Sequence, residues 1–223
     1  MTLDALKQRL PEDAKDVRVN LSAIAQVESL SAPQLWGATW ASALATGQPE
    51  VMRAFAVAAQ EHLEESGRSA VRRAAETMAM NNVYYRSLHL LSNREYDALP
   101  ARLRMQALAK PGVPALDFEI WSLAVSAING CGRCLDAHEK QIRKNGGTAQ
   151  QVQDVIRIAS IVNAVAATLE MDRELTSAVE RPSGDSGGRS AHRAPAGHTV
   201  EKRSEPEQVP FAGLGARSRA QCS

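Results

Sequence analysis

Aromatic residues are scarce in this chain, and a pattern typical of a β-sheet is missing. Phe, Trp and Tyr make up 4% of the 223 residues, whereas the hydrophobic residues together make up 44%. No segment alternates convincingly between apolar and polar residues, as a half-buried strand would. An alanine-rich core with few aromatic side chains favours closely packed helices, so the sequence predicts an all-α fold.

The sequence also lacks a surplus of one charge and a long apolar run. Its formal net charge is +1, and it has no long basic run or aromatic-interleaved basic patch, so nucleic acid is not predicted as a partner. The N-terminus mixes acids with bases and does not resemble a signal peptide. The most apolar late stretch, "ASIVNAVAATL", is too short for a bilayer and contains Asn163. We therefore expect a cytoplasmic protein with no membrane segment.

Cysteine is rare, and its count argues against a framework of structural disulfides. The chain has Cys131, Cys134 and Cys222, an odd number in a sequence without a secretion signal. In a reducing compartment, a close cysteine pair is more typical of catalysis or metal binding.

The composition changes near Pro182. Residues 182–223 contain six Ser, six Gly and four Pro, with few large apolar residues. Such a segment buries too little apolar surface to offset its ordering entropy. The sequence therefore predicts a helical domain over residues 1–178 and a disordered tail over residues 182–223.

Capping signals and apolar periodicity predict the helices. Thr2 is placed to cap a first helix, and Ser31 with Gln34 has the capping-box spacing for a helix that ends at Gly47. Further helices are predicted over 49–65, 69–91, 117–128, 131–145 and 148–170, with a short helix in a connector over 92–115. The similar tetrapeptides "AMNN" at 79–82 and "AING" at 127–130 permit a duplicated helical unit.

The stretch "NGCGRCLDAHEKQI", residues 129–142, contains the residues that we predict to be reactive. A Cys-x-x-Cys pair at a helix start lies near unsatisfied backbone N–H groups and the positive end of the helix dipole, which favours a thiolate. His138 lies four residues after Cys134, so the two share a helix face. A neutral imidazole there can take the thiol proton. The pattern predicts a working dithiol with a base one turn away.

Two acidic residues are candidates to orient this imidazole. Glu139 adjoins His138 but points about 100° away around the helix. Glu119 lies one helix earlier in the otherwise apolar "FEIWSLAV", where an acid is costly unless it is paired. If the two helices fold back across Asn129-Gly130, Glu119 and His138 converge.

Metal binding is the main alternative from the residues alone. A structural zinc site usually needs four protein ligands, and no second Cys/His pair is visible. Covalent haem attachment needs His directly after the second cysteine, where Leu135 stands. A zinc-binding structural protein therefore stays as a less favoured interpretation.

Several longer motifs resemble one known family. They are "LPEDAKDVRVNLS" near the start, "QLWG" at 34–37, "MNNVYYR" at 80–86, "LRM" at 103–105 and "FEIWSLAVSAINGCGRCLDAHE" at 118–139. On these motifs, residues 1 to about 178 resemble alkylhydroperoxidase D of the actinobacterial type, within the carboxymuconolactone decarboxylase-like superfamily. The tail after Pro182 has no counterpart in the family.

The resemblance implies a homotrimeric antioxidant enzyme that holds no bound cofactor. Glu119 and His138 would deprotonate Cys134, whose thiolate attacks an alkyl hydroperoxide, and Cys131 would resolve the sulfenic acid to a disulfide. Dihydrolipoamide on the lipoylated E2 subunit of a 2-oxoacid dehydrogenase, itself reduced by lipoamide dehydrogenase, would recharge the dithiol. The dithiol would in turn reduce a partner peroxiredoxin. The alternative is a thiol-disulfide redox adaptor whose peroxidase activity is incidental.

One position departs from the family pattern. Close relatives carry Cys-Ser-His-Cys, with an assisting histidine before the second cysteine, where this chain has Arg133. Arginine does not exchange a proton near neutral pH, but its charge can stabilise a thiolate. We therefore expect charge stabilisation in place of proton transfer at this position.

Overall fold

Nine α-helices make up most of residues 1–180, the part of the chain that this computed structural model describes, with side chains through residue 178. No strand occurs within these residues, so the predicted all-α fold is confirmed. The predicted tail over 182–223, with Cys222, lies outside the described residues. The helices are α1 (Leu3–Arg9), α2 (Lys15–Ala23), α3 (Ala32–Thr46), α4 (Pro49–His62), α5 (Glu65–Leu90), α6 (Gln106–Ala109), α7 (Ala115–Ile128), α8 (Gly132–Lys144) and α9 (Ala149–Glu180).

The predicted caps form at the helix starts. The Thr2 hydroxyl accepts a hydrogen bond from the Ala5 N–H at 3.2 Å. Ser31 and Gln34 form a reciprocal capping box at the start of α3, and Gly47 ends that helix in the left-handed region at φ 72°. These bonds satisfy backbone groups that the helix itself leaves unpaired, so local sequence fixes both ends of α3.

Helix α7 is the centre of the fold. It packs against α3, α5, α8 and α9. Its residues from Ile120 to Ser126 are all buried, and so is Phe118. A helix that is apolar around most of its circumference belongs in a core rather than at a surface. The side chain of Glu119 is therefore carried on a helix that the fold largely encloses.

Helices α3 and α7 approach each other closely at Gly37. A Cβ atom at this position would overlap the indole ring of Trp121, which is 1% exposed. Gln34 also joins three helix starts, since its Nε2 donates to Asp117 Oδ1 at 2.8 Å and its Oε1 accepts from Gln151 Nε2 at 3.3 Å. These contacts fix how α7 lies relative to α3 and α9.

One boundary and one additional helix in the first half differ from the prediction. Helices α4 and α5 are separated at Leu63 and Glu64, whereas the glycine of "ESGRS" suggested a break some residues later. Gly67 instead lies inside α5, where a Cβ would come within 3.2 Å of the Leu63 side chain. Helix α2 was not predicted, although Val17 and Leu21 lie four residues apart on one face; this face packs on the core, and the helix contacts α9.

Helix α9 runs ten residues beyond its predicted end near position 170. Residues 170–178 bury little, but residues 170–180 contain no glycine or proline, and an ion pair joins Glu170 to Arg173 one turn apart. By length and composition alone, the longer helix could span a membrane. The stretch "ASIVNAVAATL" is itself too short to span, and only the helix that contains it is longer. Of the most apolar part of this helix, 44% is buried within the fold, and the core helix of a globular domain has the same length and composition.

The connector between α5 and α7 lies beside α8. It contains a 3₁₀ turn over Arg94–Ala98 and the short helix α6, which packs on α5. The Arg73 guanidinium holds this segment to α5 by donating to the Pro111 carbonyl at 2.6 Å. The connector thereby supplies one wall of the site described next.

Candidate active site

The turn that joins α7 to α8 places the dithiol. Gly130 adopts φ 63°, and the N–H groups of Gly130 and Cys131 donate to the carbonyls of Ala127 and Ser126, both at 3.2 Å. This is the Schellman arrangement, for which glycine in the left-handed region is the usual residue. The chain reverses here within three residues, so α8 returns alongside α7.

Cys131 and Cys134 are joined by a disulfide at the start of α8. Cys131 is the residue before the first turn and Cys134 lies within that turn, with their Cα atoms 5.3 Å apart. Cys131 is fully buried and Cys134 is 6% exposed. Once reduced, both sulfurs would lie near the N-terminal end of the helix dipole, which stabilises negative charge.

His138 and Glu119 lie together beside the dithiol. His138 Nδ1 is 2.7 Å from Glu119 Oε2, and the two side chains are 7% and 14% exposed. The reversal at Asn129-Gly130 is what brings them together, since α7 carries the acid and α8 carries the base. A carboxylate that accepts from Nδ1–H leaves Nε2 free to exchange a proton and holds the ring in one orientation.

Met78 of α5 contacts the other nitrogen of this imidazole. Its Sδ lies 3.1 Å from His138 Nε2. A thioether has no hydrogen to donate, so the contact is a hydrogen bond only when Nε2 carries the proton. The imidazole is therefore held between the Glu119 carboxylate at Nδ1 and the Met78 thioether at Nε2.

A cavity of about 280 Å³ opens onto Cys134 and His138. Three segments form its walls: α5, the connector with α6, and α8. Its walls are mainly apolar, with one amide, one guanidinium and the imidazole among them. The lining residues are Met78, Asn81, Tyr85, Met105, Leu108, Arg133, Cys134, Ala137 and His138. A small organic molecule that enters here reaches the sulfur and the base together.

Arg133 lies at this cavity with its charge already paired. Its Nη1 donates to Asp97 Oδ1 at 2.7 Å, and the guanidinium carbon lies 5.6 Å from the centre of the Tyr85 ring. Asp97 also contacts Arg94 at 3.7 Å. The ion pair with Asp97 reduces the positive field that Arg133 exerts on the dithiol, so any thiolate stabilisation by Arg133 is smaller than for an unpaired arginine.

Sequence reasoning did not assign Met78, Asn81, Tyr85 or Asp97 to the site. The tetrapeptide "AMNN" at 79–82 was interpreted only as a sign of a duplicated helical unit. Its last residue, Asn82, bonds Ser126 Oγ and Asn129 Nδ2, both at 2.9 Å, and so ties α5 to the end of α7. The motif "MNNVYYR" was thus a usable signal, because an asparagine pair inside a largely apolar helix requires partners.

No cluster of three His, Cys, Asp or Glu side chains suited to a metal ion occurs among residues 1–178. The imidazole of His138 is held between a carboxylate and a thioether, while the two sulfurs bond each other. The arrangement as a whole is that of an all-helical protein with a dithiol–disulfide centre and an adjoining histidine–glutamate pair.

Comparison with known proteins agrees with this class. The carboxymuconolactone decarboxylase family matches residues 94–175, which span α6 to α9 up to Leu175. "Alkyl hydroperoxide reductase AhpD" of Maricaulis maris is 52% identical over 169 residues, or 76% of this chain and 98% of that protein. The proteins of the same name from Rhodospirillum centenum and Frankia alni are 45% and 52% identical, over 95% and 92% of their lengths. The chain belongs to this family of AhpD proteins.

Proposed function

We propose that this protein reduces alkyl hydroperoxides to alcohols with the Cys131–Cys134 dithiol as its reductant. The observation that carries the proposal is the disulfide at the start of α8 with His138 and Glu119 paired beside it. The names of its relatives agree with the same reaction.

The first half of the reaction takes place at Cys134. His138 accepts the thiol proton while Glu119 holds Nδ1–H and stabilises the imidazolium that forms. The thiolate attacks the terminal peroxide oxygen, so that an S–O bond forms and the O–O bond breaks. The alkoxide takes a proton from His138 and leaves as the alcohol, and Cys134 becomes a sulfenic acid.

The second half closes the disulfide. The Cys131 sulfur attacks the sulfenic sulfur, the S–S bond forms, the S–O bond breaks and water leaves. Two electrons have then passed from the two thiols to the peroxide. The short Cα–Cα separation of 5.3 Å allows this step without unwinding of α8.

The cavity favours an organic hydroperoxide of moderate size. Its volume of about 280 Å³ is about twice that of an engineered cavity, about 150 Å³, that holds benzene. Met105, Leu108 and Ala137 supply apolar surface for a carbon substituent. We infer that compact alkyl or aryl hydroperoxides are better substrates than hydrogen peroxide, which has no apolar part to bury.

The family resemblance extends the proposal to the electron donor and the oligomeric state. We propose that dihydrolipoamide on a lipoylated E2 subunit, regenerated by lipoamide dehydrogenase, reduces the disulfide, and that the protein in turn reduces a partner peroxiredoxin. We further propose a cytoplasmic homotrimer without a bound cofactor. The family resemblance supports these assignments, and exposed Met80 and Val83 on α5 supply apolar surface for a subunit contact.

The test is a steady-state assay with lipoamide, lipoamide dehydrogenase, NADH and cumene hydroperoxide. We expect turnover by the unsubstituted protein and none by Cys134→Ser or Cys131→Ser. Cys222→Ser is the matched control, because it removes a thiol outside the pair, and it should retain full turnover. Full turnover by either of the first two variants contradicts the proposal. NADH consumption that requires an oxidised peroxiredoxin instead of the peroxide assigns the adaptor role.

A further inference from the structure

Asn81 is a buried polar residue that lacks a bonding role in the fold. It lies on α5, is 3% exposed, and lines the cavity together with Cys134 and His138. Its side-chain Oδ1 is buried and has no hydrogen-bond partner among the described residues. Burying an amide oxygen without a partner destabilises a fold, so such an oxygen in a cavity wall points to a ligand outside the chain.

Asn82, the next residue along α5, has the hydrogen-bond partners that Asn81 lacks. Asn82 is 1% exposed, and it is bonded through both ends of its amide: Nδ2 donates to Ser126 Oγ, and Oδ1 accepts from Asn129 Nδ2. Asn82 therefore holds helices together. Asn81 differs in its surroundings, since it faces the cavity that leads to the sulfur and the imidazole.

We propose that Asn81 binds the peroxide group of the substrate next to Cys134. This rests on the proposed function and adds a substrate-binding residue to it. A carboxamide offers an acceptor and two donors on one planar group. A hydroperoxide needs both, because its O–H donates and its oxygens accept. Oδ1 accepts the peroxide O–H, and Nδ2 donates to the oxygen bonded to carbon.

The second of these bonds strengthens as the reaction proceeds. When the Cys134 sulfur bonds the terminal oxygen and the O–O bond breaks, negative charge collects on the oxygen bonded to carbon. A donor already placed at that oxygen stabilises the charge until His138 delivers the proton and the alcohol leaves. The remaining cavity wall, with Met105 and Leu108, receives the carbon substituent.

The decisive variant is Asn81→Leu, which keeps the approximate shape and removes both bonding functions. Each half-reaction is measured alone on the full-length protein. In the first, pre-reduced protein is mixed with tert-butyl hydroperoxide and loss of free thiols is followed. In the second, disulfide-form protein is mixed with dihydrolipoamide and appearance of thiols is followed.

We expect the rate constant for oxidation by the hydroperoxide to fall about 100- to 1,000-fold, as when one donor to a developing oxyanion is lost. Reduction by dihydrolipoamide should stay within about twofold, because that half-reaction needs no peroxide ligand. The melting temperature should not fall, since the variant removes a buried group that the fold leaves unpaired. Asn163→Leu, at an exposed position on α9 away from the cavity, should match the unsubstituted protein in both rates.

An unchanged oxidation rate in Asn81→Leu overturns the inference, because Asn81 then only fills space. Equal losses in both half-reactions with a lower melting temperature overturn it as well, since they indicate a structural role. If Asn81→Leu does not fold, Asn81→Ala gives the same comparison. A reduced, unsubstituted protein that does not react with the hydroperoxide refutes the proposed function itself, and that failure is visible before any variant is made.

Discussion

Glu119 Oε2 lies 2.7 Å from His138 Nδ1, although 19 residues separate the two along the chain. The pair joins the central helix α7 to the helix that carries the dithiol, and both side chains are largely enclosed. A carboxylate in this position fixes the orientation of the imidazole, with Nδ1 towards Glu119 and Nε2 towards Met78.

Glu119→Gln tests that orientation. Glutamine keeps the size of the side chain but does not stabilise an imidazolium, so oxidation of the reduced protein by hydroperoxide should slow about 100-fold or more. The rate is measured as loss of free thiols over a range of pH. The matched control is Glu139→Gln, which changes the exposed acid next to His138. Equal losses in the two variants would show that negative charge near the dithiol, rather than the contact between Glu119 and His138, sets the rate.

Met78→Leu tests the contact with the other nitrogen. It removes the thioether that lies 3.1 Å from His138 Nε2, while the similar volume of leucine keeps any stability loss below about 1.5 kcal/mol. In nitrogen-15 spectra of the disulfide form, we expect the Nε2–H signal to exchange faster with water than in the unsubstituted protein. Met105→Leu, in another wall of the same cavity, should leave that signal unchanged. Identical exchange in both variants would remove Met78 as the acceptor.

Arg133 and Asp97 should act on the dithiol in opposite directions. Asp97→Asn frees the guanidinium charge and should increase the thiolate fraction of the reduced protein, whereas Arg133→Ala should decrease it. At an effective interaction of about 1 kcal/mol, each change is roughly fivefold in the ratio of thiolate to thiol. The thiolate fraction of each reduced variant is measured across pH from the ultraviolet absorbance of the thiolate.

The ion pair between Arg133 and Asp97 should contribute little to the stability of the fold. Stability should change by less than about 1 kcal/mol in either variant, because both side chains are well exposed and surface ion pairs contribute little. Arg94→Ala is the control, since Arg94 contacts the same carboxylate at the longer distance of 3.7 Å. A thiolate fraction that is the same in Arg133→Ala and the unsubstituted protein would refute charge stabilisation by Arg133.

The helices and the site differ in how far sequence alone predicts them. The capping box of Ser31 and Gln34 and the stop at Gly47 are local, so both ends of α3 follow from neighbouring residues. The break before α5 depends on Leu63 being buried against the fold, and the identity of Gly67 alone suggested a different boundary. Local signals of this kind predict an element well only where tertiary packing does not override them.

The same distinction applies to the site. The i, i+4 spacing of Cys134 and His138 is a property of one helix, and the apolar surroundings of Glu119 in sequence already indicated that it needs a partner. Met78 and Asp97 come from other segments, and no spacing rule connects them to the dithiol. Their positions depend on how α5 and the connector pack against α8, which periodicity does not encode.

Asp117 gives a pH dependence of stability with a definite sign. Burial raises the pKa of this carboxyl above its ordinary value of 3.8, although the hydrogen bond from Gln34 opposes the shift. The folded protein therefore holds the proton more tightly than the unfolded chain. The stability that this proton contributes is complete below pH 3.8 and is lost as pH rises through the raised pKa.

Asp117→Asn removes this titration and keeps an oxygen that accepts from Gln34. The free energy of unfolding of the variant, relative to the unsubstituted protein, should increase from about pH 3.8 upward and then level off. Denaturant unfolding at several pH values measures it. Glu65→Gln should give the opposite sign and a small effect, because Arg68 lowers the pKa of an exposed carboxyl there. Parallel pH curves for Asp117→Asn and the unsubstituted protein would contradict the assignment.

Gly37→Ala tests the packing that positions Glu119. The added methyl group would overlap the Trp121 indole, which is fully enclosed two residues after Glu119 on the same helix, so α3 and α7 must separate. We expect a loss of about 1–3 kcal/mol in the free energy of unfolding. Gly132→Ala is the contrast, because no atom of the described residues crowds the position that its methyl group would take, and alanine there should not lower stability. Since α7 carries the acid of the pair, Gly37→Ala should also slow peroxide oxidation. A variant that loses stability but keeps the full oxidation rate would show that the Glu119–His138 contact tolerates movement of α7.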